Sequence, residues 1–257
     1  MKTFKILSLS LLLFLCSSVK AQFARFPANG VIEFEKRVNM FALIKKTLNK
    51  ENESWMAPAF EEFKKTQPQF KVSKSTLHFS KDRTLFTPGE NVEERRSFID
   101  WHPLLTQFNT VYNDLSSQTS VIQKKLFDEA YLFKDTTRAI KWKLTDENRE
   151  IAGYSCRRAN AVIMDSIYVV AYYTDQIPVS SGPEVFAGLP GMILGVALPH
   201  DNVTWFATSV TDKPLEKPIT APIKGKASTP KTLNTILESI IKQHGEFLRK
   251  AVKYYFL

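Results

Sequence analysis

Cys156 is followed by two arginines, a pattern that can produce a reactive thiol. The 257-residue chain has one other cysteine, Cys16. Positive charge beside a thiol lowers its pKa and favours the nucleophilic thiolate. Alternation along a strand, however, places Arg157 on the face opposite Cys156. Free cysteines are usually buried, so a structural Cys156 is favoured over a reactive one.

Four histidines are the next candidates for chemistry: His78, His102, His200 and His244. Zinc sites use paired ligands such as His-Glu-x-x-His or clustered cysteines, and the chain has neither pattern. No Gly-x-Ser-x-Gly motif marks a nucleophilic serine. We therefore predict no catalytic residue, no metal ligand and no cofactor, and favour a non-enzymatic role. A metal site or catalytic triad assembled only by the fold stays open.

The most distinctive stretch is the Pro/Gly-rich segment over residues 177–194. Proline fixes its own φ and extends the residue before it, and glycine permits backbone conformations closed to other residues. These properties predict a stiff structural loop in which Leu189 and Ile193 pack into the core. The residues assigned to the loop are Pro178, Gly182, Pro183, Gly188, Leu189, Pro190 and Gly191. A binding site is the alternative, with candidate residues Tyr172, Tyr173, Phe186, Leu189 and Met192.

Residues 188–193 read Gly-Leu-Pro-Gly-Met-Ile, which resembles the signature of the GLPGLI family, envelope proteins of Bacteroidetes. Met192 stands where the family name has leucine. Further similarities are Trp142, Ile151-Ala152-Gly153-Tyr154, Cys156, Ala159, Tyr172-Tyr173-Thr174, Ile177-Pro178 and Gly182-Pro183. The match is strong from about residue 140 to residue 198. This resemblance implies an exported β-rich domain, such as a curved or bowl-shaped antiparallel sheet, and no established activity, substrate or catalytic residue.

Alternating apolar and polar residues predict β-strands along most of the chain. An opening strand after Gly30 places Ile32, Phe34 and Val38 on one face. Short strands follow between residues 70 and 85, and further strands are expected over residues 110–115, 120–127, 130–133, 140–144, 151–164, 167–174, 192–198 and 203–210, with a turn at 146–148. The connections are too short for crossover helices. We therefore predict a mainly β (α+β) protein built on a single curved antiparallel sheet, bowl-like or half-barrel.

Helical spacing of apolar residues occurs at two places. Between residues 40 and 67 it predicts one or two short N-terminal helices. Prolines and a glycine then mark an extended connector over residues 213–229. From Leu233 to Leu248, apolar residues recur at helical spacing after Thr229-Pro230, which predicts a C-terminal amphipathic helix over residues 230–257. This helix is expected to pack on the sheet, with partner or membrane binding as the alternative.

Residues 1–21 have the features of a cleavable signal peptide. Lys2 and Lys5 precede an apolar stretch, and Val19-Lys20-Ala21 offers a cleavage site. A transmembrane helix needs about 20 apolar residues, and no segment is long enough. Lipid attachment at Cys16 is disfavoured because leucine precedes it. We expect a β-rich domain over residues 22–212, exported to the periplasm or the outer-membrane periphery.

The net charge of +9 falls to about +6 once the three signal-peptide lysines are removed. The basic residues are scattered among acidic ones, so a solvated surface is favoured and nucleic-acid binding is not expected. Strand-rich patterning and aromatic content favour a non-catalytic binding or carrier protein for an apolar ligand, a peptide or an envelope partner. Expected partners are an outer-membrane protein or a lipid-like ligand. The alternatives are a periplasmic hydrolase acting on envelope peptide or glycan, and a structural accessory subunit of an outer-membrane receptor.

Overall fold

The computed structural model describes residues 27–89, 98–126 and 129–257. The predicted signal peptide and Cys16 lie outside these ranges. Twelve strands form one sheet. In chain order they are β1 (Gly30–Asn39), β2 (Phe70–Phe79), β3 (Arg83–Pro88), β4 (Thr110–Asp114), β5 (Thr119–Leu126), β6 (Glu129–Thr136), β7 (Lys143–Ile151), β8 (Tyr154–Ile163), β9 (Ile167–Thr174), β10 (Met192–Leu198), β11 (Val203–Thr211) and β12 (Lys226–Ser228).

The sheet has the order β12-β6-β5-β4-β3-β2-β1-β11-β10-β9-β8-β7. Neighbouring strands pair antiparallel except β12 and β6, which are parallel. The two end strands, β12 and β7, leave the sheet open. The mainly β architecture with one mostly antiparallel sheet is confirmed. β12 lies within residues 213–229, where the sequence predicts only an extended connector.

Among the described residues, four α-helices accompany the sheet: α1 (Met40–Thr47), α2 (Glu53–Thr66), α3 (Pro103–Thr106) and α4 (Pro230–His244). The two short N-terminal helices are confirmed. The prediction of a C-terminal helix over residues 230–257 is wrong in length. Gly245 has a φ of +112°, which ends α4. Two 3-10 helices follow it, Glu246–Lys250 and Val252–Phe256.

Strand β7 differs from the sequence-based prediction. The expected strand over residues 140–144 begins only at Lys143, and the expected turn at 146–148 lies inside β7, where the register shifts between Leu144 and Asn148. β7 is an edge strand whose residues are mostly exposed, and polar residues are common on exposed edges. The turn comes later, at Ala152 and Gly153, which both have positive φ.

The Pro/Gly-rich segment lies over one face of the sheet, which we call the inner face and define by Ile32, Phe34 and Trp205. Residues 181–187 are all buried. The Ser181 hydroxyl lies 2.9 Å from the Thr84 hydroxyl of β3, and the Phe186 ring lies 5.9 Å from the Trp205 ring of β11. The protein's own loop therefore occupies space on the inner face that a bowl would otherwise offer to a ligand.

Candidate ligand-binding groove

A large groove lies beside the sheet, between the N-terminal helices and the C-terminal segment. Its volume is about 960 Å³, which is within the usual range for small-molecule sites. In the described part of the chain, four stretches form its walls: the end of α1 with the following loop, the start of α2, residues 98–102 before α3, and residues 249–254. None of the residues predicted for a binding site lines it.

Apolar side chains line much of the groove: Leu43, Leu48, Trp55, Met56, Phe98, Trp101, Ala251 and Tyr254. Leu43 and Met56 are buried, whereas Trp55 is 56% exposed. The two helices are held together by aromatic contacts, such as the Phe41 and Phe60 rings at 5.8 Å. The result is an apolar surface to which solvent has access.

Asn39 caps the N-terminus of α1. The Ala42 N–H donates to the Asn39 side-chain oxygen at 3.1 Å, which satisfies one of the free N–H groups at a helix start. The buried residues of α1 are Met40, Leu43 and Ile44, spaced so that they share one helix face. This packing fixes the end of α1, where Lys46 and Leu48 reach the groove.

A hydrogen-bonded cluster holds the C-terminal segment at the groove. The Tyr254 hydroxyl donates to Asp201 Oδ1 at 2.5 Å, and Lys46 Nζ donates to the same oxygen at 3.0 Å. The His102 ring lies 5.3 Å from the Tyr254 ring. Burial and the hydrogen bond to Asp201 raise the pKa of Tyr254, so the phenol remains a donor. These contacts join α1, α3 and the C-terminal segment.

His102 acts as the cap of α3. Its Nδ1 accepts a hydrogen bond from the Leu104 N–H at 3.2 Å, so this nitrogen must be unprotonated. Burial is the main reason that the pKa of His102 falls to about 4; the charges of Lys46 and Lys36 act in the same direction and Asp201 opposes them. His102 is therefore neutral at pH 7, as its capping role requires.

Acid should destabilise the protein through His102. Its folded pKa of about 4 lies below the unfolded value of 6.5, so its contribution is complete above pH 6.5 and is lost as pH falls towards 4. The loss should be about 3 kcal/mol. Urea unfolding between pH 7 and pH 4 should show it in the wild type but not in His102→Asn, which keeps a capping oxygen without titrating. If the free energy of unfolding changed with pH in the same way in both proteins, His102 would not be the group responsible.

Basic side chains line the groove: Lys46, Arg249, Lys250 and Lys253. Among the described lining residues, one side chain is acidic, that of Glu51. The helical spacing predicts a regular helix over residues 249–254, which does not place them at a binding site. The sequence nevertheless contains an indication of this role, because Arg249, Lys250 and Lys253 alternate there with apolar and aromatic residues.

The predicted binding residues do not form one site. Tyr173, Phe186 and Leu189 are buried in one core cluster, whereas Met192 is buried in another, against which Tyr172 packs. Successive strand residues point to opposite faces of a sheet, which separates Tyr172 from Tyr173. At most 5% of each is exposed except Tyr172, which is half-buried.

The predicted loop residues form a tightly connected turn. The Ile193 N–H donates to the Ser181 carbonyl at 2.8 Å, and Trp142 Nε1 donates to the Ala187 carbonyl at 2.9 Å. Gly182, Pro183, Leu189 and Gly191 are buried, whereas Pro178, Gly188 and Pro190 are exposed. Leu189 and Ile193 both pack in the core.

Several charged side chains are buried, among them Glu184 of this loop. Lys36, Lys124 and Glu184 are each at most 6% exposed. The Asn109 amide donates to Glu184 Oε2 at 3.1 Å, and Lys124 Nζ donates to the Leu257 backbone oxygen at 2.5 Å. Burial lowers the pKa of Lys124 to about 7, and the Glu184 charge partly offsets this. This cluster is not predictable from the sequence, because its members are far apart in the chain.

Cys156 is fully buried, as predicted. Its thiol donates to the Tyr154 carbonyl at 3.4 Å, and burial raises its pKa to about 12. The thiol is therefore protonated and inert at neutral pH.

The histidines lie in separate elements. His78 is in β2, His200 is in the 3-10 helix Pro199–Asp201, and His244 ends α4. In the part of the chain that the structure describes, no group of three or more His, Cys, Asp or Glu side chains could hold a metal ion.

A short part of the chain matches a known family. Residues 161–195 match the model of the family described as "Protein of unknown function (Porph_ging)". The matched stretch includes β9 and the Pro/Gly-rich loop. No curated protein matches the sequence.

Solved structures with a similar fold include two of PNGF-II, in space groups P21 and C2. Their TM-scores are 0.52 and 0.50 at 15% and 13% sequence identity. Both likenesses cover 81% of this chain, but 33% and 32% of the PNGF-II chains. This chain thus spans about a third of their length. At such identity the likeness concerns the fold alone.

Proposed function

We propose that this protein is a non-catalytic binding or carrier protein whose groove holds a ligand with a long apolar part. The single observation that carries this proposal is the groove itself, with a volume of about 960 Å³ and an apolar lining. A solvent-accessible apolar concavity gains free energy when an apolar ligand displaces its water. The inner face is the weaker candidate, because residues 181–187 lie buried over it.

We also propose that the protein is exported to the periplasm or the outer-membrane periphery, and that it is related to the GLPGLI family. The signal-peptide features of residues 1–21 support export. Among the described residues, no helix has both the length and the apolar character needed to cross a membrane. The Gly-Leu-Pro-Gly-Met-Ile motif at residues 188–193 supports the family proposal, and it lies inside the matched stretch of residues 161–195.

The hydrolase alternative has weaker support. It requires titratable groups with shifted pKa values that are available for catalysis. In the groove, the two such groups are His102, whose pKa is lowered, and Tyr254, whose pKa is raised. Each already makes a structural hydrogen bond, His102 to the Leu104 N–H and Tyr254 to Asp201.

An uncharged fluorophore tests the proposed function. N-phenylnaphthylamine should bind the wild-type protein with enhanced fluorescence, and Trp55→Ala should weaken binding about 5- to 10-fold, because a removed aromatic contact costs about 1 kcal/mol. Trp55 is 56% exposed, so its truncation should leave the fold intact.

The matched control is Val162→Ala. Val162 is also an exposed apolar residue, at 60%, but it lies on β8 outside the groove. This variant should bind the fluorophore as the wild type does. Absence of binding to the wild type, or equal weakening in both variants, would overturn the proposal.

A further inference from the structure

The described lining of the groove is mostly basic in charge. Of the lining residues that the structure describes, four are basic and one, Glu51, is acidic. Lys46 is paired with the buried Asp201 at 3.0 Å, and Arg249 is paired with Glu238 at 3.0 Å. Two of the four cations therefore already have acidic partners.

The other two cations, Lys250 and Lys253, differ from them. Among the described residues, neither forms an ion pair with an acidic side chain. Lys250 is exposed and Lys253 is half-buried, with its Nζ 5.1 Å from the centre of the Tyr254 ring. Both side chains adjoin the apolar lining, because Ala251 and Tyr254 of the same segment line the groove.

From this arrangement we propose that the groove selects a single-chain amphiphile with an anionic headgroup, a fatty-acid carboxylate, whose charge lies between Lys250 and Lys253. This proposal rests on the proposed function and adds the chemistry of the ligand. The acyl chain lies on the apolar lining, where burial of methylene groups supplies affinity. The carboxylate accepts hydrogen bonds from the two ammonium groups, and these charge-assisted bonds supply selectivity.

The test compares three ligands with the same chain and different headgroups by isothermal titration calorimetry below their aggregation concentrations: dodecanoate, dodecanol and dodecyltrimethylammonium. The wild type should bind dodecanoate about tenfold more tightly than dodecanol, and dodecyltrimethylammonium most weakly. Added salt should reduce the preference for dodecanoate, because partly exposed charges are screened.

The matched variants separate headgroup recognition from general charge. Lys250→Gln/Lys253→Gln should reduce the preference for dodecanoate over dodecanol to about twofold, because the amide side chains carry no charge that attracts the carboxylate. Lys231→Gln/Lys242→Gln removes the same charge from exposed positions of α4 outside the groove, and should keep the preference.

The outcomes distinguish the two proposals. Equal binding of all three ligands by the wild type would overturn the headgroup proposal and leave the proposed function standing. Binding of none of them, together with no binding of N-phenylnaphthylamine, would overturn both. If Lys231→Gln/Lys242→Gln lost the preference for dodecanoate as Lys250→Gln/Lys253→Gln does, headgroup recognition would not be due to Lys250 and Lys253.

Discussion

Gly191→Ala should lower the free energy of unfolding by more than about 3 kcal/mol. Gly191 has a φ of +148°, and a Cβ placed on it would lie 2.1 Å from the Thr174 backbone oxygen. That oxygen belongs to β9, where Thr174 pairs with Met192. Because the clash involves backbone atoms, a change of side-chain rotamer cannot relieve it, and β9 and β10 must separate locally. Urea unfolding monitored by fluorescence measures the loss.

The matched control for this prediction is Gly153→Ala. Gly153 also has a positive φ, +82°, but a Cβ there would meet no atom within 4 Å. This variant should lose only the conformational cost of about 1 kcal/mol. The difference between the two variants isolates the close approach of Gly191 to β9. Similar losses in both would show that the close approach does not constrain the loop.

These two glycines show what can be predicted about the loop from its sequence. Proline and glycine spacing predicts a stiff turn at residues 177–194, but it does not distinguish a glycine required by φ alone from one required by a neighbouring strand. The latter depends on the pairing of β9 with β10. That pairing is set by residues on both strands and by a register shift between Ile193 and Gly195.

The strands were predictable where one face is buried and the other is solvated. β1 and β11 show this alternation and lie close to their predicted bounds. The predictions are wrong where another structural factor outweighs the pattern of apolar residues. β7 tolerates a polar run because it lies at an edge, and α4 ends at Gly245 although apolar residues continue at helical spacing beyond it.

The groove could not be predicted from the sequence, because its residues come from four separate segments. Each segment alone resembles an ordinary helix end or loop. The aromatic residues chosen instead, such as Tyr173 and Phe186, are buried, since aromatic side chains contribute to cores as readily as to binding sites. Whether an aromatic side chain lies in the core or in a binding site depends on which surface the loop covers.

Glu184→Gln should lower the free energy of unfolding by about 3 to 5 kcal/mol at pH 7. Glu184 is the acidic side chain whose charge offsets the buried charges of Lys36 and Lys124. Burial raises the pKa of Glu184, while the two lysines oppose that rise. Glutamine keeps the shape and can still bond to Asn109, so the expected loss comes from the two lysines, which must be buried without an opposing charge or lose their protons.

The pH dependence of that loss identifies its cause. Without Glu184, the pKa values of both buried lysines should fall further below their unfolded value of 10.5. A lowered folded pKa makes stability rise with pH up to the unfolded pKa, so the defect of Glu184→Gln should shrink between pH 7 and pH 10. Adding Lys124→Met should restore part of the stability at pH 7, because methionine has no ammonium group that must be buried or deprotonated at that pH. Glu150→Gln, on the exposed edge strand β7, should have little effect. A small loss that is independent of pH would mean that the charge of Glu184 does not balance the lysines, and that its hydrogen bond to Asn109 is its main contribution.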